Sequence, residues 1–483
     1  MRFPSAQCLA PSALVALFAT SLSAQQAFDR SKPPTLPPPA ELTVPRVHDL
    51  SLPNGVKVNV VEHRELPLVH IIMTVGGGAR LDGDRPGLAT FTANMLDEGA
   101  GTRNALQLQS ELAYLGAQLN SQADWDRTVV SLKVPVRNLE PALDLMADVV
   151  RRPTFASAEV TRQRGLRLTG ILQRKDQPNT LAQLAFNSTL YSAGHPYHNP
   201  TGGDSTSTSK LDSAMVREFY QATIRPSRTT IYAVGDMSAE QLRAALAKRF
   251  GDWRDPSGVA VVRANVAPTA AGTARRIVLV DKPNAAQSII VIGAPGVERK
   301  SPDYAPLMVM NTILGGLFTS RLNFNLRETK GYTYGAGSRY DFRLAPGPFT
   351  ASAQVRTNVT DSSLVEFFKE LRAIRDSQVT DEELAKAKAS LELGIPDELE
   401  TTSQIAGQMA ALGTFGLTLD EMRDFARKVR AVTKADVQRV ARQYVPEDRV
   451  LIAIVGDLSK TRAGIEALKL GQVNVLEIPQ IVR

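Results

Sequence analysis

The 483 residues exceed what one hydrophobic core ordinarily supports, so at least two domains are expected. With 43% hydrophobic, 22% charged and 6% aromatic residues the composition is globular, which excludes a disordered or fibrous chain. One cysteine and five histidines exclude a disulfide framework and any cysteine-rich zinc or iron–sulfur site. A net charge of +7 with no Lys/Arg block argues against nucleic acid as a partner.

The chain opens on a segment, residues 1–27, that reads as a secretory signal. Arg2 supplies the positive n-region, Ala10–Leu22 the apolar stretch, and Ala24 or Ala27 a small residue at the cleavage point. The apolar run is too short to span a bilayer, and no later stretch approaches the length needed. Cys8 precedes the apolar run instead of ending it, which argues against a lipoprotein. An exported protein, periplasmic or secreted, with no stable membrane span after cleavage is the expectation. Residues 28–45 form a proline-rich lead-in, stiff and extended, suited to a spacer or a strap.

Beyond it the chain repeats itself. Arg228-Thr-Thr-Ile-Tyr-Ala-Val-Gly-Asp-Met-Ser238 resembles Arg449-Val-Leu-Ile-Ala-Ile-Val-Gly-Asp-Leu-Ser459, 221 residues on. Each copy reads as an apolar strand ending at Gly-Asp, then a helix capped by Ser238 or Ser459. Upstream, His70–Val75 parallels Ser288–Gly293. The chain therefore divides into two related halves, 46–258 and 274–472, joined by a linker at 259–273 and followed by a tail at 473–483. Apolar spacing near 3.6 predicts helices over Asn138–Arg151 and Leu364–Ile374. Strands and helices mix with few βαβ crossovers, which favours α+β: antiparallel-rich sheets covered by helices in both halves.

Gly76-Gly77-Gly78 follows a strand but fits no phosphate-cradling pattern, so it reads as a strand end. His195-Pro-Tyr-His198 is broken by prolines and has no nearby acid, so it reads as a loop without a metal. His63, between Glu62 and Glu65, reads as a solvated turn, and His48 and His70 stand alone.

Residues 51–102, with Leu52-Pro-Asn-Gly-Val-Lys-Val58, Gly76-Gly-Gly-Ala-Arg80, Pro86-Gly-Leu-Ala-Thr-Phe-Thr-Ala-Asn-Met95 and Gly101-Thr102, resemble the N-terminal domain of the pitrilysin/mitochondrial-processing-peptidase family, the M16-type zinc peptidases. In that family the helix after the glycine carries His-x-x-Glu-His, two zinc ligands and the water-activating base. Here Thr90, Ala93 and Asn94 stand in those places. The third ligand, a glutamate in a later helix before an Asp-x-Pro turn, falls on Gly170. Four such residues cannot hold catalytic zinc, so neither peptide hydrolysis nor a metal is expected of this chain alone.

The second half keeps a motif of its own. Ser320-Arg-Leu-Asn-Phe-Asn-Leu-Arg327-Glu-Thr-Lys-Gly-Tyr-Thr-Tyr334 resembles the family's arginine–tyrosine pair. The resemblance implies that Arg327 and Tyr334 hold substrate backbone and stabilise a developing oxyanion. The plainer alternative is an arginine paired on a helix and a tyrosine packed on a sheet. Some members work as heterodimers in which one subunit holds zinc and the other supplies this pair. The resemblance thus implies a clamshell half, a zinc-bearing homologous partner and an extended peptide substrate. The alternative is an inert peptide-binding or scaffold protein that keeps the fold.

Overall fold

The computed structural model describes residues 42–264, 266, 269 and 272–482. The signal segment read at 1–27 and most of the lead-in lie outside them. Among the described residues, twelve strands form two sheets of six. The first sheet is built from β1 (His48–Ser51), β2 (Lys57–Glu62), β3 (Leu68–Gly76), β4 (Gln118–Ala123), β5 (Arg127–Pro135) and β6 (Thr229–Gly235), in the order β1-β2-β6-β3-β5-β4. The second is built from β7 (Arg276–Asp281), β8 (Gln287–Pro295), β9 (Thr333–Tyr340), β10 (Pro348–Arg356), β11 (Leu451–Gly456) and β12 (Gln472–Leu476), in the order β12-β7-β11-β8-β10-β9.

Five strands of each sheet correspond in order and direction, with β2 and β6 parallel as β7 and β11 are, and the next three pairings antiparallel. The sixth strand does not correspond. β1 precedes β2 and pairs with it antiparallel, whereas β12 arrives from the C-terminal end and lies parallel to β7. The fold is α+β with antiparallel-rich sheets. The stretch read as a tail past residue 472 therefore begins with a sheet strand, and a short helix, Ile478–Ile481, follows it.

One face of each sheet carries the main core of its half. Helix Leu139–Arg151 turns Leu139, Ala142, Leu143, Leu145, Met146 and Val149 inward, the residues its 3.6-residue spacing singles out. Helix Thr360–Asp376 does the same with Leu364, Phe367, Phe368, Leu371 and Ile374. Ser238 caps helix Ala239–Phe250, accepting from Gln241 N at 3.3 Å. The second copy differs from the expectation: helix Leu458–Ala467 is capped by Asp457, not Ser459. The Asp457 carboxylate accepts from Ser459 N at 3.2 Å and from Ser459 Oγ at 2.6 Å. A carboxylate caps at least as well as a hydroxyl, so the strand-ending Gly-Asp also starts the helix.

The opposite faces are covered reciprocally. Helix Pro178–Leu190, from the first half, lays Leu181, Ala182, Ala185 and Phe186 on Val278, Val280, Ile289, Val291, Ala453 and Val455 of the second sheet. Helix Thr402–Thr414, from the second half, lays Ile405, Ala406, Met409 and Ala410 on Val61, Ile72, Tyr232 and Val234 of the first. Glycine permits each approach. A Cβ on Gly293 of β8 would lie 2.7 Å from Phe186 Cζ, and one on Gly413 would lie 1.8 Å from Tyr232 Oη. All six residues of β11 are buried because helices cover both faces, while β5, covered on one face, alternates.

Candidate functional site

Helix Leu88–Asn94 is only seven residues long and starts from Gly87 at φ 93°, a left-handed turn suited to glycine. A Cβ there would lie 2.9 Å from the Gly203 backbone. The helix is capped from outside: the Asp82 carboxylate accepts from Gly87 N at 2.7 Å and Ala89 N at 2.8 Å. Burial nevertheless pushes the Asp82 carboxyl up to about 7. Leu88 and Phe91 anchor the helix in the first core, and Ala93 is buried. Thr90 and Asn94, one turn apart, share a face.

Facing them is Arg167, from helix Ser157–Gln173. Its Nη1 donates to Gly87 O at 2.9 Å and to Thr90 Oγ1 at 3.0 Å. Its guanidinium lies 5.0 Å from the centre of the Phe91 ring. Asn94, with its amide turned to suit both neighbours, donates from Nδ2 to Thr90 O at 3.0 Å and accepts from Arg167 Nη2 at 3.3 Å. Thr90 Oγ1 also lies 2.8 Å from Thr201 O and 3.1 Å from Gly87 O, one of which takes its single hydrogen. Gly170, one turn beyond Arg167, lines the same cleft as Asn94, and a Cβ there would meet open space.

Of the sequence-predicted positions, Asn94 and Gly170 thus line one cleft, buried Thr90 meets it through Arg167, and Ala93 is buried. What they surround is a guanidinium. A hydroxyl, an amide and a glycine beside a fixed positive charge do not fit zinc, which takes imidazole, thiolate or carboxylate donors. Among the described residues no three His, Cys, Asp or Glu side chains come together as a metal-holding group.

Sequence reasoning passed over Arg167. Its signal was its place three residues before Gly170, on the same helix face, with Arg174 about one turn beyond that glycine.

Arg327 and Tyr334 occupy the second half's outer sheet edge. Arg327 lies in the π-helical turn Phe324–Thr329, 3.4 Å from Glu328 Oε1, with its guanidinium 4.3 Å from the centre of the exposed Phe318 ring. Tyr334 is the second residue of the edge strand β9 and is 89% exposed. So the arginine is paired on its helix, but the tyrosine is not packed on the sheet. The platform beneath is fixed: Arg321 forks onto Glu383 at 2.6 and 2.8 Å, and Asn323 Oδ1 accepts from Ala336 N at 3.0 Å, tying helix to strand. Among the described residues no hydrogen bond, ion pair or ring contact joins Arg327 or Tyr334 to the Thr90–Arg167 cleft.

The His195–His198 loop is an aromatic packing unit. His195 is buried, stacks on Tyr191 with ring centres 4.6 Å apart, and accepts from Tyr197 N at 3.0 Å. His198 Nδ1 lies 2.9 Å from Tyr191 O. Arg343, from the second half, caps the cluster over Tyr197 and Trp125 at 4.3 and 4.6 Å, and Leu344 N donates to Asp126 at 3.0 Å. These contacts add to those that join the halves. His63 makes a 4.0 Å contact with Glu65, and His70 lies within β3.

Comparison with known proteins concerns the chain and its fold. The family model described as insulinase (peptidase family M16) matches residues 58–204, and the one described as peptidase M16 inactive domain matches residues 210–391. An uncharacterized zinc protease of Mycobacterium tuberculosis is 29% identical over 437 residues, 88% of this chain and 96% of its own length. The crystal structure of a peptidase M16 inactive domain from Pseudomonas fluorescens superposes with a TM-score of 0.79 at 29% identity, covering 85% of this chain and 98% of that one. The first half of the periplasmic protease PqqL from Escherichia coli shares the fold, with a TM-score of 0.72 at 17% identity over 90% of this chain and 99% of its own. With two models of one family following each other along the sequence, and a relative and a structure of that family spanning most of it, this chain belongs to peptidase family M16.

Proposed function

We propose that this chain is the non-catalytic subunit of an exported heterodimeric zinc metallopeptidase. Zinc and the water-activating base reside in a homologous M16-type partner, and this chain contributes Arg327 and Tyr334 to the shared substrate site. One observation carries the reading: Arg167 is bonded to Thr90 beside Asn94 and Gly170, the positions that the resemblance assigns to zinc, while Tyr334 stands exposed near the sheet edge that follows Arg327.

Chemistry supports the role. A guanidinium over Phe318 and an exposed phenol on the following strand are donors available to a carbonyl oxygen that gains charge during attack. β9 is an edge strand, and its outer backbone groups other than Ala336 N, which Asn323 takes, are offered to an extended peptide that adds as a further strand. Export rests on the signal segment and accords with the likeness to a periplasmic protease. No described helix is long and apolar enough to cross a membrane. Nucleic acid is not a partner on this reading, since no basic block or stripe is present.

The test is reconstitution. The chain is purified alone and with a co-expressed M16 homologue that keeps His-x-x-Glu-His, and each preparation is assayed for peptide cleavage and bound zinc. Cleavage and zinc only in the pair support the proposal. Stoichiometric zinc with activity in the lone chain contradicts it, and a stable pair indifferent to Arg327 would instead favour an inert scaffold.

A further inference from the structure

Arg167 and Arg174 face one cleft of about 450 Å³, bounded by helix Ser157–Gln173 and the start of helix Pro178–Leu190. Asn94, Gln163, Gln177 and Thr180 share its walls, and no acidic side chain lines it. Neither arginine makes an ion pair among the described residues. Their hydrogen bonds go to neutral oxygens: Gly87 O and Thr90 Oγ1 for Arg167, and Gly203 O at 2.7 Å for Arg174.

Both are half-buried, and guanidinium groups drawn out of water ordinarily carry a carboxylate partner. The chain shows both patterns: Arg228, likewise half-buried, donates to Val262 O without an ion pair among the described residues. Buried Arg249 is met by Asp144 at 2.8 Å and Glu140 at 2.5 Å, and Arg275 by Glu447. Here burial and the neighbouring Arg174 pull Arg167 down to about 10, and burial lowers Arg174 as well. Both stay charged at neutral pH. Helix Pro178–Leu190 adds positive potential, since it starts at Gln177 with no side-chain cap and its first turn borders the cleft.

We propose that this cleft binds a carboxylate of a peptide chain, clamped between Arg167 and Arg174. A planar anion with two oxygens matches the guanidinium fork, and the Gln177 amide nitrogen, whose oxygen alone is taken up by Thr180, suits an adjoining peptide carbonyl. The fold thus holds a cation where its relatives' motif would place zinc, and the ligand takes the opposite charge. This site belongs to the chain alone and requires neither Arg327, Tyr334 nor a partner.

The source of the carboxylate, a C-terminus or an acidic side chain, is separated by the probe. The full chain is titrated calorimetrically with three acetylated alanine pentapeptides: one with a free C-terminus, one amidated, and one amidated with a central glutamate. The expected result is binding of the first, the third or both, with the all-alanine amide at least about tenfold weaker. Arg167→Met and Arg174→Met each weaken the bound peptide at least about tenfold while thermal unfolding stays cooperative. Arg174→Met carries the test if loss of the Arg167 hydrogen bonds prevents folding. Equal binding of all three peptides, binding of none at millimolar concentration, or wild-type affinity in the arginine variants overturns the proposal.

Discussion

At residue 167 a guanidinium ties helix Ser157–Gln173 to helix Leu88–Asn94 through Gly87 O, Thr90 Oγ1 and the Asn94 amide. The absence of histidine at 90 and 94 is legible in the sequence, because a motif of fixed spacing either has its donors or lacks them. Arg167 is not legible in that way. An arginine within a helix reads as solvent-facing, and only the crossing of helices Leu88–Asn94 and Ser157–Gln173 turns it inward. The consequence is testable by restoring the donors. With Thr90→His, Ala93→Glu, Asn94→His and Gly170→Glu together, the chain should still bind zinc poorly. Adding Arg167→Leu should tighten zinc binding at least about tenfold, because it removes a like charge a few ångströms from the metal. Equal zinc affinity with and without Arg167, measured by competition with a chelator, would show that the guanidinium does not disable the site.

His70 gives a second expectation at this scale. Burial, aided by Lys133, depresses its imidazole to about 4, and its Nδ1 has no hydrogen-bond partner. The folded His70 therefore stays neutral down to about pH 4, while the unfolded imidazole takes a proton near 6.5. Its contribution is fully present above 6.5 and is lost as pH falls toward 4, by about 2 kcal/mol at pH 5. His70→Gln should remove that share of the loss in urea unfolding between pH 7 and pH 5. Identical pH slopes for variant and wild type would refute it.

At the scale of elements, what binds the halves is the exchange of two helices. Periodicity locates apolar helix faces, but an apolar face does not name the sheet it covers, so neither Pro178–Leu190 nor Thr402–Thr414 could be assigned across the chain from sequence. The one trace was in the strands. β11 is apolar throughout and β8 is apolar from Ile289 onward, the pattern of a strand covered on both sides, whereas β5 alternates. Phe186 is fully buried over Gly293, so Phe186→Ala should cost about 3–5 kcal/mol through the cavity it leaves. Because the helix joins two halves, the loss should appear as one cooperative transition at lower denaturant. Gly413→Ala should destabilise by about 1–3 kcal/mol, since its Cβ would overlap the Tyr232 hydroxyl. Two separate transitions in either variant, or no change in midpoint, would show that the exchanged helices do not couple the halves.

Across the whole molecule, the repeat of Gly-Asp strand ends made the duplication visible, and the five corresponding strands of each sheet are its structural expression. The sixth strands escaped notice because β1 and β12 come from opposite ends of the chain and pair in opposite senses. A duplicated fold that holds a guanidinium in one half and an exposed arginine–tyrosine pair in the other is asymmetric in chemistry though not in architecture. The central claim is that the exposed pair serves a reaction whose metal lies in another subunit. Steady-state peptide cleavage by the reconstituted pair, with Arg327→Ala in this chain, tests it most directly. The account predicts a fall in kcat/KM of about a hundredfold or more, with zinc content and the co-purifying partner unchanged. Unaltered cleavage by the Arg327→Ala complex would contradict it.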